Sequence, residues 1–299
     1  MIKFLYLLIR YSGLFFLFRK TVLKRKVTIV TYHNPKPDIF EKHIKFLQKY
    51  YQFISLNKLT NCIKNNNWSD IPNNSIVVTI DDGHQGNSKL INTIKEYNFK
   101  PTIYCCSDIV NTKRHFWWKE VKQGNIEYLK KKKNIERLDE LKKLYNFFND
   151  KEYESRQTIN KSEIHELSDF VDFGSHTRFH PILTCCSNNE KRDEIITSKK
   201  NIENITKREC NNFCYPNGDY DNKTIELVEL AGYQSARSLD VGWNGKNANL
   251  YKLKTTWIAD DASINLLVTQ LLGITMFFKY LGNGSLRGLK RTIIPLKNR

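Results

Sequence analysis

The 299-residue chain reads as an α/β protein, a mainly parallel sheet with helices packed outside it. Three observations predict this. Apolar β-branched runs alternate with helical patterns, no internal repeat or Pro/Gly/Ser-rich linker divides the chain, and chemically active residues collect just after the apolar runs. Strands are expected over 27–32, 53–56, 76–80, 102–105, 171–174, 212–215, 235–238 and 252–258. His33, Asp81, Asp82, His176 and Tyr215 follow or close such runs, as expected when active groups gather at the C-terminal face of a β/α barrel.

In chain order, residues 1–26 come first, with seven Lys/Arg and no acid. A signal peptide wants an uninterrupted apolar core and a small-residue cleavage site, but Arg10 breaks the core and Arg19-Lys20 stands at the site. A spanning helix would carry Arg10 near its middle at a cost of about 3 kcal/mol. The preferred reading is a helix lying in the membrane interface. Lys3 and Arg10 fall seven residues apart on one face and stay with the headgroups, while Phe4, Leu7, Leu8, Phe15 and Phe18 enter the acyl boundary. The competing reading is a helix packed on the domain.

The catalytic domain is expected over 27–260, interrupted at 112–166 by a helical insertion. There Ile135, Leu138, Leu141, Tyr145 and Phe148 keep helical spacing, while Lys130-Lys131-Lys132-Lys133 faces water. The insertion is either a solvated appendage or a cover over the site, and Trp117-Trp118 within it suits core packing or stacking on a sugar face. Residues 261–299 form an apolar and basic segment, either a second interfacial element or the last helix against the barrel. Its last thirteen residues, 287–299, carry five Lys/Arg and no acid. The two basic ends account for twelve of the net +17, leaving +5 between them, which favours an anionic membrane surface as partner and argues against nucleic acid.

Two short motifs carry the chemistry. Val77-Val78-Thr79-Ile80-Asp81-Asp82-Gly83 puts adjacent carboxylates at the end of an apolar strand. Gly174-Ser175-His176-Thr177-Arg178-Phe179-His180-Pro181 puts two imidazoles four residues apart, a spacing that lets both reach one ion. One carboxylate and two imidazoles suit zinc or another divalent first-row ion, and three protein ligands leave a position open for water. The second carboxylate is then free to act as a base.

With these motifs, the stretch from about Val27 to Ile258 resembles the polysaccharide deacetylases of carbohydrate esterase family 4, the nodulation-protein deacetylase type. Thr79-Ile80-Asp81-Asp82-Gly83 is similar to their first motif and His176-Thr177-Arg178-Phe179-His180 to their second. Phe213-Cys214-Tyr215-Pro216-Asn217-Gly218 resembles the Tyr-Pro-x-Gly version of the third. The resemblance implies an irregular barrel of about seven parallel strands. It also implies Asp82, His176 and His180 as metal ligands, Asp81 as general base, and the backbone N–H of Tyr215 as oxyanion donor. Chemistry alone does not say which aspartate is which.

The chain departs from the family pattern in two places. The family's general acid is a histidine near the end of the domain, but the last histidine here is His180. Its usual third motif also carries an arginine that orients the base, and none stands there. His33 is the candidate acid, and Arg237 or Lys254 the candidate partner of Asp81. His84 is expected to point away after the Gly83 turn, and His43, His115 and His165 belong to no motif.

The seven cysteines show no framework spacing, which suits reduced thiols in the cytosol, and Cys214 reads as a small buried side chain. The expected function is a metal-dependent hydrolase that removes an acetyl group from an N-acetylated glycan or glycolipid. The expected place is the cytoplasmic face of the membrane, in bacterial cell-envelope polysaccharide or lipopolysaccharide assembly. The alternative is a non-catalytic saccharide-binding or assembly protein that retains the fold.

Overall fold

The computed structural model describes residues 2–275, so the expected tail from 276 onward lies outside the described residues. Eight parallel strands run in order: β1 (Val27–Tyr32), β2 (Gln52–Phe53), β3 (Ser75–Ile80), β4 (Thr102–Cys105), β5 (Asp172–Ser175), β6 (Asn212–Cys214), β7 (Ser235–Val241) and β8 (Leu253–Trp257). Strand β1 pairs with both β3 and β8, so seven strands close into a ring, and β2 lies against the start of β3 outside it.

Every residue of β1 and β3 is buried, because barrel strands have core on one face and helices on the other. Two buried threonines of the barrel, in β3 and β8, satisfy their hydroxyls on carbonyls of β1. Thr79 Oγ1 donates to Val30 O at 3.0 Å, and Thr255 Oγ1 donates to Ile29 O at 3.0 Å. Asn244 ties the lower end of the closure: its backbone exchanges bonds with Val27, and its side chain holds both N–H and C=O of Lys254.

The expected strand at 53–56 is shorter than the pattern suggests. Ser55 instead caps a helix, its hydroxyl accepting from Lys58 N. Strand β7 runs to Val241 rather than 238, with an irregular register against β8.

Helices flank the ring. In order they are α1 (Ile2–Tyr11), α2 (Leu14–Thr21), α3 (Pro37–Gln48), α4 (Leu56–Lys64), α5 (Ile91–Glu96), α6 (Ile126–Leu129), α7 (Asn134–Tyr145), α8 (Lys161–Leu167), α9 (Asn188–Thr206), α10 (Asn222–Leu230) and α11 (Ile264–Leu271). Capping boxes at Asn160/Glu163 and Ser187/Glu190 fix the starts of α8 and α9.

The N-terminal pair is two-faced. Phe15 is buried among Phe46, Tyr50 and Tyr51, Phe18 meets the Trp243 ring edge-on, and Arg10 donates to Asn265 Oδ1 at 2.8 Å. Those three therefore face the protein, not a bilayer, correcting the expectation for them. Phe4, Leu5, Leu7, Leu8, Phe16 and Leu17 remain exposed. No helix among the described residues is long and apolar enough to cross a membrane.

The insertion has a core of its own. Trp117, Val121, Leu129, Leu141 and Phe147 pack together, with the Arg137 guanidinium over the Trp117 ring. Ile135 and Phe148 were expected on the apolar face but are exposed. α7 instead buries Asn134, Arg137 and Leu141.

Candidate active site

The C-terminal ends of four strands bring the predicted residues together. His33 follows β1, Asp81 and Asp82 follow β3, His176 follows β5, and Arg237 stands within β7 opposite Cys214 of β6. Asp81 N–H donates to Tyr32 O at 2.9 Å and His176 N–H to Cys105 O at 2.9 Å, so the ladders fix where the side chains begin.

Asp82, His176 and His180 converge. Asp82 Oδ1 lies 3.5 Å from His176 Nε2 and 3.6 Å from His180 Nε2, and all three ligand atoms fall within 4.8 Å of one another. These gaps are too long for good hydrogen bonds and leave Asp82 Oδ1 buried without a partner. His176 Nδ1 lies 2.8 Å from Cys214 O; a carbonyl only accepts, so the proton sits on Nδ1 and the Nε2 lone pair faces Asp82. Burial lowers the pKa of His176. Burial and then the neighbouring His176 push His180 down to about 3, so both imidazoles are neutral, as a metal requires. This donor set fits one divalent cation.

Asp81 and Cys214 with His176 make a second convergent set. It is unsuited to an ion. Arg237 Nη2 donates to both oxygens of Asp81 and lies 2.8 Å from Cys214 Sγ, so a guanidinium already occupies the space between them. Burial also raises the Cys214 thiol pKa well above its ordinary value, so no thiolate is available. Burial is the largest influence and would raise the pKa of Asp81, but the Arg237 charge together with His176 and His33 more than offsets it, so the pKa is lowered and the carboxylate stays ionised. Arg237 is thus the partner of Asp81. Lys254 forms no ion pair with it among the described residues.

Two expectations change with the geometry, and a third residue, His33, stays as expected at the strand end. His84 does not point away: its Nε2 lies 3.2 Å from Asp82 Oδ2, the oxygen facing away from the two ligand histidines. The Tyr215 N–H donates to Arg237 O at 3.1 Å in the β6–β7 ladder, so that amide is not free to receive an oxyanion, and its hydroxyl bonds Tyr251 O. His33, half-buried, is tied by its backbone to Asp260 and Asn87. Its imidazole has no hydrogen bond among the described residues and acts electrostatically on both Asp81 and Asp82.

The loop between the ligand histidines is held by a residue that motif spacing does not reveal. Buried Glu194 of α9 accepts from Arg178 N at 2.7 Å and Phe179 N at 3.2 Å, and burial pushes its pKa up to about 7. Asp82, Thr177 and His180 all adopt left-handed φ (72°, 67° and 57°), a concentration of backbone strain that the surrounding bonds sustain.

The insertion supplies the wall. Trp117 Nε1 donates to His180 O at 3.2 Å, while half-buried Trp118 stacks on Phe116 and stands 4.4 Å from the His180 ring. The sequence left a cover over the site and a solvated appendage both open, and these rings stand beside His180.

The polysaccharide deacetylase family profile matches residues 69–236. The polysaccharide deacetylase homologue YxkH of Bacillus subtilis (strain 168) is 22% identical over 256 residues, covering 82% of this chain and 75% of that protein. Among solved structures, the Streptococcus pyogenes deacetylase PplD in complex with acetate superposes with a TM-score of 0.61 at 16% identity, covering 83% of this chain and 99% of that one. IcaB from Ammonifex degensii also gives 0.61, at 12% identity over 84% and 97%. These structural likenesses bear on the fold.

The Arg237–Asp81 pair is fully enclosed, so removing one partner strands a buried charge. Arg237→Met is expected to cost about 3–5 kcal/mol at neutral pH, and adding Asp81→Asn to recover much of it. Urea unfolding of the wild type, both single variants and the double variant measures this. Additive losses would mean that the two groups are not coupled.

Proposed function

The chain belongs to the polysaccharide deacetylase family, and on that footing we propose that it is a metal-dependent hydrolase that removes an acetyl group from an N-acetylated sugar. The observation that carries the reading is the meeting of Asp82, His176 and His180 around an unpartnered buried carboxylate oxygen, beside an Asp81 kept ionised by Arg237. One divalent ion, zinc by the preference of a carboxylate and two imidazoles, would be held by those three residues. When bound, it lowers the pKa of a water and polarises the acetyl carbonyl.

Asp81 accepts the water's proton at a carboxylate oxygen, and Arg237 keeps that carboxylate oriented and unprotonated beforehand. In this role Arg237 replaces the arginine missing from the third motif, which supports the Tyr-Pro-x-Gly version of that motif. The Tyr215 amide is used by the sheet and Pro216 has no N–H, so the next amide along the third motif, that of Asn217 at left-handed φ 57°, is the candidate oxyanion donor. His33 delivers the proton to the leaving nitrogen, its unbonded ring being close enough to act on both carboxylates. The half-exposed Trp118 offers an apolar face for a pyranose. The acetate held by PplD is the acid that this reaction would release.

The preferred substrate is a lipid-linked saccharide at the cytoplasmic leaflet, used in bacterial cell-envelope polysaccharide assembly. Exposed apolar side chains on α1 and α2 beside Lys3, Lys20, Lys24, Arg25 and Lys26 suit an anionic lipid surface. The seven free cysteines accord with a reducing compartment.

Asp82→Ala, His176→Ala and His180→Ala are each expected to lower bound metal and acetate release together. Asp81→Asn should keep the metal and lose turnover. Elemental analysis beside an acetate assay distinguishes them; loss of the ion in Asp81→Asn with retention in Asp82→Asn would reverse the two roles. Full metal content with no acetate from any acetylated sugar would favour a binding protein instead.

His33→Ala is expected to lower amide hydrolysis about 10²–10⁴-fold with metal intact. On an aryl acetate, whose leaving group needs no proton, variant and wild type should converge. Equal losses on both substrates would remove His33 from proton transfer.

Replacing the exposed Phe4, Leu8, Phe16 and Leu17 with Ser should weaken co-sedimentation with anionic vesicles by about tenfold or more, leaving hydrolysis of a small soluble substrate unchanged. Unaltered co-sedimentation would rule out this face as the attachment site.

A further inference from the structure

Beside the metal-ligating cluster lies a cleft of about 480 Å³ whose wall includes His84, the residue bonded to Asp82 Oδ2. Two cations line it, Lys89 from the turn after the Asp81-Asp82 motif and Lys119 from the insertion. Neither ammonium has an ion-pair partner among the described residues, and no Asp or Glu lines the cleft. A cleft of similar size on the other side of the insertion differs: there Lys113 and Arg156 share the lining with Glu152 and Glu154, and Arg156 is bound by Glu163. Of these two clefts, the one next to the metal-ligating residues is the one whose positive charge is unbalanced.

The remaining lining favours an anion as well. Asn34 and Gln157 bring neutral amides, while the Gln85 amide is held by Arg156; Gln157 Oε1 already accepts from Phe116 N, so its NH₂ is the end left to donate. Gly86 has no side chain at the place where an added Cβ would lie 2.2 Å from Asn34 Oδ1, which keeps the Asn34 amide at the cleft. Lysines and amide N–H groups around a concave surface recognise phosphate or carboxylate oxygens through charge-assisted hydrogen bonds.

We propose that this cleft is a substrate subsite for an anionic substituent of the saccharide, a phosphate ester or a carboxylate, seated between Lys89 and Lys119 while the acetamido group lies at the metal-ligating residues. The proposal rests on the deacetylase reading for the identity of the sugar, and it narrows the substrate from any N-acetylated glycan to an acidic one. The two lysines come from different segments, one beside the first motif and one from the insertion, so the insertion would take part in substrate selection as well as in walling the site.

The test is equilibrium binding by calorimetry to the full-length, zinc-loaded protein, with three probes: N-acetylglucosamine 1-phosphate, N-acetylmuramic acid and uncharged methyl N-acetylglucosaminide. At low ionic strength at least one acidic probe should bind roughly tenfold more tightly than the neutral one, with the advantage shrinking as salt is raised. Which acidic probe gains identifies phosphate or carboxylate as the group recognised. Lys89→Ala/Lys119→Ala should abolish the advantage and leave neutral-probe affinity unchanged, and Lys89→Arg/Lys119→Arg should retain it. Equal binding of all three probes to wild type, or an advantage that survives in the alanine variant, overturns the proposal. An intact charge-dependent advantage with no acetate released from any probe would instead keep the subsite and overturn the deacetylase reading.

Discussion

Two carboxylates on consecutive residues, Asp81 and Asp82, both nearly sealed from solvent, set the terms for the rest of this site. Neither can stay ionised in such a place without a compensating charge or hydrogen bonds. The fold answers them differently. Asp81 receives a buried guanidinium from β7, and Asp82 receives one imidazole on Oδ2 and an open gap between Oδ1 and two more imidazoles. The first arrangement holds an ionised, oriented carboxylate, and the second leaves a donor set that fits one cation. The division of labour between adjacent, chemically identical side chains thus follows from what stands opposite each of them.

That division requires residues far apart in sequence to meet at one mouth, which the closed ring of parallel strands provides. A parallel barrel points all its strand ends the same way, so β1, β3, β5, β6 and β7 deliver His33, the aspartates, His176, the third motif and Arg237 to one face. The loops there are held tightly. Glu194 binds two amides between the ligand histidines, and Ile159 N–H reaches Gly83 O to fasten the end of the insertion beside the aspartates. Such support allows several non-glycine residues to keep left-handed conformations where the donor atoms converge.

The two peripheral elements are joined to this centre in different ways. The insertion, with its own small core, puts Trp117, Trp118 and Lys119 next to His180 and the neighbouring cleft, so it forms one wall of the site. The N-terminal helices instead share core with the barrel through Phe15, with Leu23 just after α2, and leave a different apolar face uncovered. The packed reading therefore describes one side of these helices, and the other side is left exposed.

The sequence by itself determined the parallel α/β class, most strand positions, and the aspartate and histidine motifs. Each is local: a continuous apolar run buried on both faces, a carboxylate pair at a strand end, two imidazoles at close spacing. Arg237 could be named as a candidate, but only the fold placed it on Asp81 rather than Lys254, because that choice depends on the β6–β7–β8 registers. Tyr215 shows the limit most clearly. Its place in a motif is visible in the chain, yet its amide is committed to Arg237 O by pairing with a strand about twenty residues away, and no local pattern encodes that bond. The turn of His84 toward Asp82 and the position of the insertion over His180 are likewise products of three-dimensional closure, since both depend on segments that meet only once the barrel has formed.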